Sequence, residues 1–183
     1  IRWQAEIPGR GHSSPTVVGD RVFLTTANEV KQTQHVLCFD RSTGDVLWNK
    51  EIYQGKFDHN NNKNSFASSS VSCDGQQIYT SFFRDKKILT VALTLKGKLV
   101  WEHVYDGFAS HQGFGASPLL YKRMVILAAD NKADGGGLLT AVDRQNGEIL
   151  WETPRPKCPN YVSPTIYHLN GRDELLMAGC EII

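Results

Sequence analysis

Residues able to do chemistry are present in the sequence but thinly arranged. The run DNKADGG from Asp130 places carboxylates and an amide close together, the donor types that hold calcium. A helix–loop–helix calcium loop needs an Asp or Asn at its third position and a Glu at its twelfth, where Lys132 and Ala141 stand here. The run therefore reads as a hairpin. The histidines are His12, His35, His59, His103, His111 and His168, and no two have the spacing of a zinc-binding H-E-x-x-H helix. His35 and His103 fall in strand-like stretches and read as packing or surface residues. DHNNNKN from Asp58 reads as turn material, with His59 exposed. The four cysteines, Cys38, Cys73, Cys158 and Cys180, contain no C-x-x-C pair, so a zinc pattern is absent. Cys38 sits in an apolar stretch, and buried free thiols are the preferred reading over two bridges. GFGAS around Gly115 lacks the third glycine of a phosphate-binding loop, and without a G-x-S-x-G context Ser117 is no nucleophile. No catalytic residue and no metal ligand is assigned.

Composition narrows the classes. The 183 residues carry 20 basic and 19 acidic side chains, a net charge of +1. That balance gives no electrostatic footprint for nucleic acid or an anionic membrane. With 40% apolar and 21% charged residues the chain suits a globular fold, and no apolar run approaches the roughly 20 residues of a membrane helix. A first residue that is Ile1, and a last stretch, GCEII, inside a strand-like run, are what a segment of a longer protein would show. No N-x-[ST] sequon is present to indicate a compartment.

The elements that would position any site come from a repeat. Trp3, Trp48, Trp101 and Trp151 are spaced by 45, 53 and 50 residues. Gly44, Gly97 and Gly147 each stand four residues before a Trp, and Asp40 and Asp143 four before their Gly. In the middle copy Thr94 stands three before Gly97, a turn one residue shorter. Polar patches HSSPTVV, FASSSVS, FGASPLL and YVSPTIY precede apolar runs such as DRVFLTT, QQIYTSF and KRMVILA, and HVLCFD, ILTVALT and LLTAVD follow in the first three units. These runs are short, β-branched or aromatic, and bounded by turn residues, which speaks against a helical repeat. Four strands per unit of about 45–50 residues is the pattern of a propeller blade. The expected fold is all-β, a propeller segment of four-stranded antiparallel blades at about 13–51, 66–104 and 115–153. Partial blades flank them at 1–8, including a last strand from Arg2 to Ile7, and at 160–183. In each unit the Asp carboxylate is expected to accept turn N–H groups, the Gly to take a positive φ, and the Trp to lie between blades. A segment this short of a closed ring is expected to be marginally stable or to aggregate alone.

CFDRSTGDVLW and AVDRQNGEILW match A-x-D-x-x-T-G-x-x-x-W, with Cys38 in the Ala slot and Asn146 in the Thr slot, and ALTLKGKLVW is a shortened copy. This motif resembles the tryptophan-docking motif of PQQ-like, quinoprotein-type β-propeller repeats, and the resemblance covers essentially the whole chain. No Trp is followed by Asp, as WD40 blades would have, and the glycine run at Gly135 is too isolated for kelch repeats. The resemblance implies a ring of seven or eight blades and a periplasmic or secreted location. It implies a choice of roles. The favoured one is a non-catalytic binding or scaffold propeller with no cofactor, similar to outer-membrane assembly propellers, whose partners are other proteins or a small polar ligand, beside the remaining blades of the same chain. The alternative is a piece of an alcohol or sugar dehydrogenase holding PQQ with calcium, and a third is a sensor or carbohydrate-binding module. In such propellers the loops before the innermost strands line one mouth of the axial channel. They carry His12, Ser13, Asn64, Phe66, His111, Gln112, Phe114, Asn160 and Tyr161, the candidate ligand-binding residues.

Overall fold

The computed structural model describes residues 1–57, 61–108, 110, 112–130 and 136–179. Every regular element among them is a strand. Blade I is β1 (Thr16–Val18), β2 (Arg21–Asn28), β3 (Thr33–Asp40) and β4 (Val46–Gln54); blade II is β5 (Ser72–Cys73), β6 (Gln77–Arg84), β7 (Lys87–Thr94) and β8 (Leu99–Tyr105). Blade III is β9 (Leu119–Tyr121), β10 (Met124–Ala129), β11 (Gly137–Asp143) and β12 (Ile149–Arg155), and β13 (Thr165–Leu169) with β14 (Arg172–Leu176) forms a two-stranded ladder. Within each blade the strands pair antiparallel in chain order. The first strand of each blade starts later than the polar patches suggest, because the Ser-rich openings bond to neighbouring blades instead of to a ladder.

The middle strands are buried on both faces: blade II lies between two sheets, and the outer face of blade I is covered by the non-strand segment with Trp3 and Ala5. This is why VFLTT and ILTVAL read as near-continuous apolar runs. Phe23, Val36 and Cys38 of blade I pack against Ile78, Phe82, Leu89 and Val91 of blade II. Phe83 and Ile88 on the other face of blade II meet Ile126, Ala128 and Leu139 of blade III. The outermost strand β4 is mostly exposed along the rim.

Two rows of contacts stitch sheet to sheet. The outer row is the repeated phrase. The fourth strand of each blade bulges at the same place, its extra residue, Leu47, Val100 or Leu150, lying opposite the step after Cys38, Ala92 or Ala141 of the third strand. Asp40 then accepts the N–H groups of Ser42 (2.7 Å) and Thr43 (3.0 Å), and Asp143 accepts that of Gln145 (2.9 Å). The Ser42 hydroxyl and these N–H groups hold the Asp40 carboxyl below its usual pKa. Gly44, Gly97 and Gly147 follow at φ of 81°, 78° and 76°. On them lie the rings of Trp3, Trp48 and Trp101, so close that an added Cβ would sit 2.6, 3.0 and 2.9 Å from ring carbon. The indole N–H groups donate to the carbonyls of Arg41 (2.8 Å), Leu95 (3.0 Å) and Arg144 (2.8 Å) on the same turns. Trp151 donates instead to the Met124 thioether at 3.3 Å.

The inner row is made of serines. Ser14 N–H donates to Ser70 Oγ (2.9 Å), Ser70 N–H to Ser117 Oγ (2.9 Å), and Ser117 N–H to Ser163 Oγ (2.8 Å). Each serine opens the innermost strand of its unit, and each bond crosses to the next unit.

Two expectations need correction. Residues 2–7 form no strand, because they have no ladder partner among the described residues; the first pairing is a single bridge, Arg10 with Ala27. Trp3 still docks on Gly44. The cysteines are not all thiols. Cys38 and Cys73 are free, whereas Cys158, on a loop and not in a sheet, is disulfide-bonded. Cys180 lies outside the described residues.

Candidate functional site

The loops that join one blade to the next share an end of the sheets with the β2–β3 and β6–β7 turns. Between three of these loops lies an open cleft of about 480 Å³, lined by Asn61, Lys63, Asn64, Gln112, Gly115 and Tyr161. Its walls are tied together across blades. Asn61 Nδ2 donates to Gln112 Oε1 (2.5 Å), and Asn64 Nδ2 to the Gln112 carbonyl (2.7 Å). Asn64 Oδ1 in turn accepts from the Ser65 N–H (2.8 Å) and the Ser68 hydroxyl (2.5 Å). The Tyr161 hydroxyl pairs with Ser110 Oγ at 3.1 Å, and that oxygen also accepts the Gln112 N–H at 3.1 Å. The Gln112 amide nitrogen and the Lys63 ammonium have no hydrogen-bond partner among the described residues and are the donors left for a ligand.

The Tyr161 side of the cleft is held from beneath. Arg155 donates to the Asp130 carboxylate through Nε (3.2 Å) and Nη2 (3.0 Å), with the Asp130 side chain 1% and the Arg155 side chain 10% exposed. Asn160 Nδ2 adds a bond to Asp130 (3.3 Å) and another to the Ala178 carbonyl (2.6 Å). Asn160 Oδ1 accepts the N–H groups of Tyr161 (2.8 Å) and Val162 (3.2 Å). The pair Asp130–Arg155 therefore sets the backbone that presents Tyr161.

Of the candidates read from sequence, Asn64, Gln112 and Tyr161 come together in the cleft, and Asn160 braces it. His12 is exposed, and its N–H donates to the Ala67 carbonyl (2.9 Å). Ser13 Oγ bonds back to Thr25 of its own blade (3.1 and 3.3 Å). Phe66 turns inward and stacks on Phe57 at 4.3 Å, and Phe114 is buried edge-on to Phe108 at 5.7 Å. His111 lies outside the described residues, as does His59. Sequence reasoning took Asn61 and Lys63 for turn material and set the GFGAS run around Gly115 aside as a failed phosphate loop, so none of the three was singled out. It also passed over Asp130 as a failed calcium ligand; a strand-ending Asp facing a strand-ending Arg was the available signal.

A quinone held by calcium needs converging carboxylates. Among the described residues no three His, Cys, Asp or Glu side chains come together to hold a metal, and Asp130 is already taken by Arg155 and Asn160. No two cysteines are adjacent. The described residues do not fit that group. No helix among them is long and apolar enough to cross a membrane.

A family model described as outer membrane protein assembly factor BamB matches residues 1–107 and 32–180. A polyvinylalcohol dehydrogenase from a Pseudomonas species is 26% identical over 166 residues, a match taking in 84% of this chain and 24% of that protein. Among solved structures, a europium-containing methanol dehydrogenase superposes with a TM-score of 0.57 at 20% identity, over 79% of this chain and 25% of that one. BamB from Moraxella catarrhalis superposes with a TM-score of 0.51 at 16% identity, over 85% of this chain and 55% of that one. At such identities the structural likeness speaks for the fold. The chain spans about a quarter of the length of the two dehydrogenases.

Proposed function

The chain belongs to the family described as outer membrane protein assembly factor BamB, and from that premise we propose that it is part of a non-catalytic binding propeller in an extracytoplasmic bacterial protein, periplasmic or secreted. The observation that carries this reading is the lining of the mouth cleft: amides, a phenol and one ammonium, pre-set by bonds across three units. Such a surface presents hydrogen-bond donors at fixed positions without a proton acceptor poised to react. It suits the polar groups of another protein or of a small polar ligand. The remaining blades would complete the ring.

A second reading is favoured by one observation, the 26% identity to polyvinylalcohol dehydrogenase. Under it the segment belongs to a quinone-dependent dehydrogenase of alcohols or sugars. The carboxylates for calcium would then come from outside the described residues, and these strands would serve as wall.

The two are separated by mixing the full-length protein with PQQ and calcium, passing it through gel filtration and following quinone absorbance and alcohol-dependent dye reduction. The binding reading expects quinone to elute apart from protein and no dye reduction. Quinone that stays with the protein and supports alcohol oxidation overturns it.

A further inference from the structure

Two buried polar atoms among the described residues lack a hydrogen-bond partner, Gln34 Oε1 and Arg84 Nε. Both sit where blade I meets blade II, at the end of the sheets that also carries the mouth cleft, and neither is among the residues lining that cleft. Gln34 is nonetheless fixed, its Nε2 donating to the carbonyls of Phe66 (2.8 Å) and Phe83 (3.0 Å). Arg84, the residue after Phe83 and the last of β6, is held in a different way. Its guanidinium carbon lies 4.7 Å from the centre of the Tyr53 ring of β4. Tyr53 stacks on Phe57 (6.4 Å, 23°) and Phe57 on Phe66 (4.3 Å, 30°), so an arginine of one blade rests on an aromatic shelf of the other.

The arrangement is costly as it stands. A buried N–H without an acceptor costs about 1–3 kcal/mol. The guanidinium makes no ion pair with any described acid. Its surroundings are basic: the turn reads Arg84, Asp85, Lys86, Lys87, and Lys56 follows β4. Lys87 is engaged by Asp106 at 2.9 Å. Stacking on Tyr53 fixes the plane of the guanidinium, so that any edge open to solvent is pre-oriented for a planar, two-oxygen acceptor.

We propose that Arg84 is an anion anchor that takes the carboxylate of an Asp or Glu side chain presented by a partner polypeptide along the rim between blades I and II. A carboxylate is the matched group because one planar fork meets two coplanar oxygens. The anchor is not part of the lining of the mouth cleft and does not depend on how that cleft is used.

The test is local. In ¹⁵N-labelled full-length protein the Arg84 Nε–Hε cross-peak is assigned by its loss in Arg84→Met, a change that keeps an apolar stem over Tyr53. An acetylated, amidated Glu-Gly-Glu peptide is titrated in, with Gln-Gly-Gln and inorganic phosphate as parallel arms, and calorimetry gives affinities. The Glu peptide should shift the cross-peak saturably while the Gln peptide does not. Arg84→Lys, which keeps the charge without the fork, should weaken binding about tenfold. The proposal falls if the Glu peptide leaves the cross-peak unmoved at millimolar concentration, if Gln-Gly-Gln or phosphate moves it as much, or if Arg84→Lys binds as tightly. The Lys comparison also stands should Arg84→Met fail to fold.

Discussion

The ring of Trp48 lies 3.0 Å from where a Cβ on Gly97 would be, and Gly97 has a φ of 78°. Gly97→Ala must therefore bear both a left-handed backbone, about 1–2 kcal/mol for an L-residue, and a displaced indole. We expect a fall in the denaturation midpoint of at least that size, with Trp48 emission shifted to the red as its ring loosens. A second single-residue consequence concerns Cys38. It is fully buried beneath Trp48, its cross-strand partner, and burial pushes its thiol up to about 11. Little thiolate exists at neutral pH, so iodoacetamide should label Cys38 only after unfolding, which mass spectrometry of native and denatured samples will show. These residues were the most legible in the sequence. Asp, Gly and Trp recur at fixed offsets because each turn is one local piece of chain that solves one local problem. Arg84 was invisible for the opposite reason: its shelf, Tyr53, belongs to another strand of another unit, 31 residues earlier.

The blades follow from runs whose apolar character is dictated by burial on both faces, and that is why their order could be read before their contacts. What holds them to one another was only half legible. The Ser-Pro and Ser-Ser openings stood out as a pattern, but their bonds run from a backbone N–H to a side chain 46–56 residues away, and no local rule pairs them. Ser117→Ala leaves the Ser70 N–H without its acceptor at the junction of blades II and III. We expect a loss of about 1–3 kcal/mol and faster hydrogen exchange at Ser70 than at the Ser14 amide, whose own acceptor is retained. The same junction holds a small cavity of about 20 Å³, room for one water, lined by Ser81, Thr90, His103, Tyr105 and Thr140 among others. Burial lowers the pKa of His103 from its usual 6.5, and Glu152 pulls weakly the other way. Above about pH 6.5 the imidazole is neutral folded or unfolded, and the site's contribution is whole. Below it the unfolded chain takes up the proton first, so stability should fall as the pH drops until the folded ring also protonates. Urea midpoints at pH 7.5 and 5 in wild type and His103→Gln will check this; the variant should show the shallower decline. The mouth cleft was the least legible part, since Asn61 and Lys63 sit in a loop whose composition signals only a turn, and Phe66 and Phe114 serve the core.

Taken whole, the molecule has a direction. Each unit offers an indole and a serine N–H toward its successor and receives the same from its predecessor. Trp151, with a thioether where the others have a carbonyl, and the half-exposed Val17 and Tyr167 (54% and 52%) leave part of each flank of the stack exposed. Residues 1–183 produced alone should self-associate, and light scattering against concentration will show it; a monodisperse monomer would mean the flanks close by themselves. Because every seam is written in the same terms, duplicating or deleting one whole unit leaves the chemistry of each seam intact and alters only curvature. Copy number in such a lineage can then drift by recombination. The bulk of side chains between sheets, by setting the wedge angle, decides at which count the circle shuts.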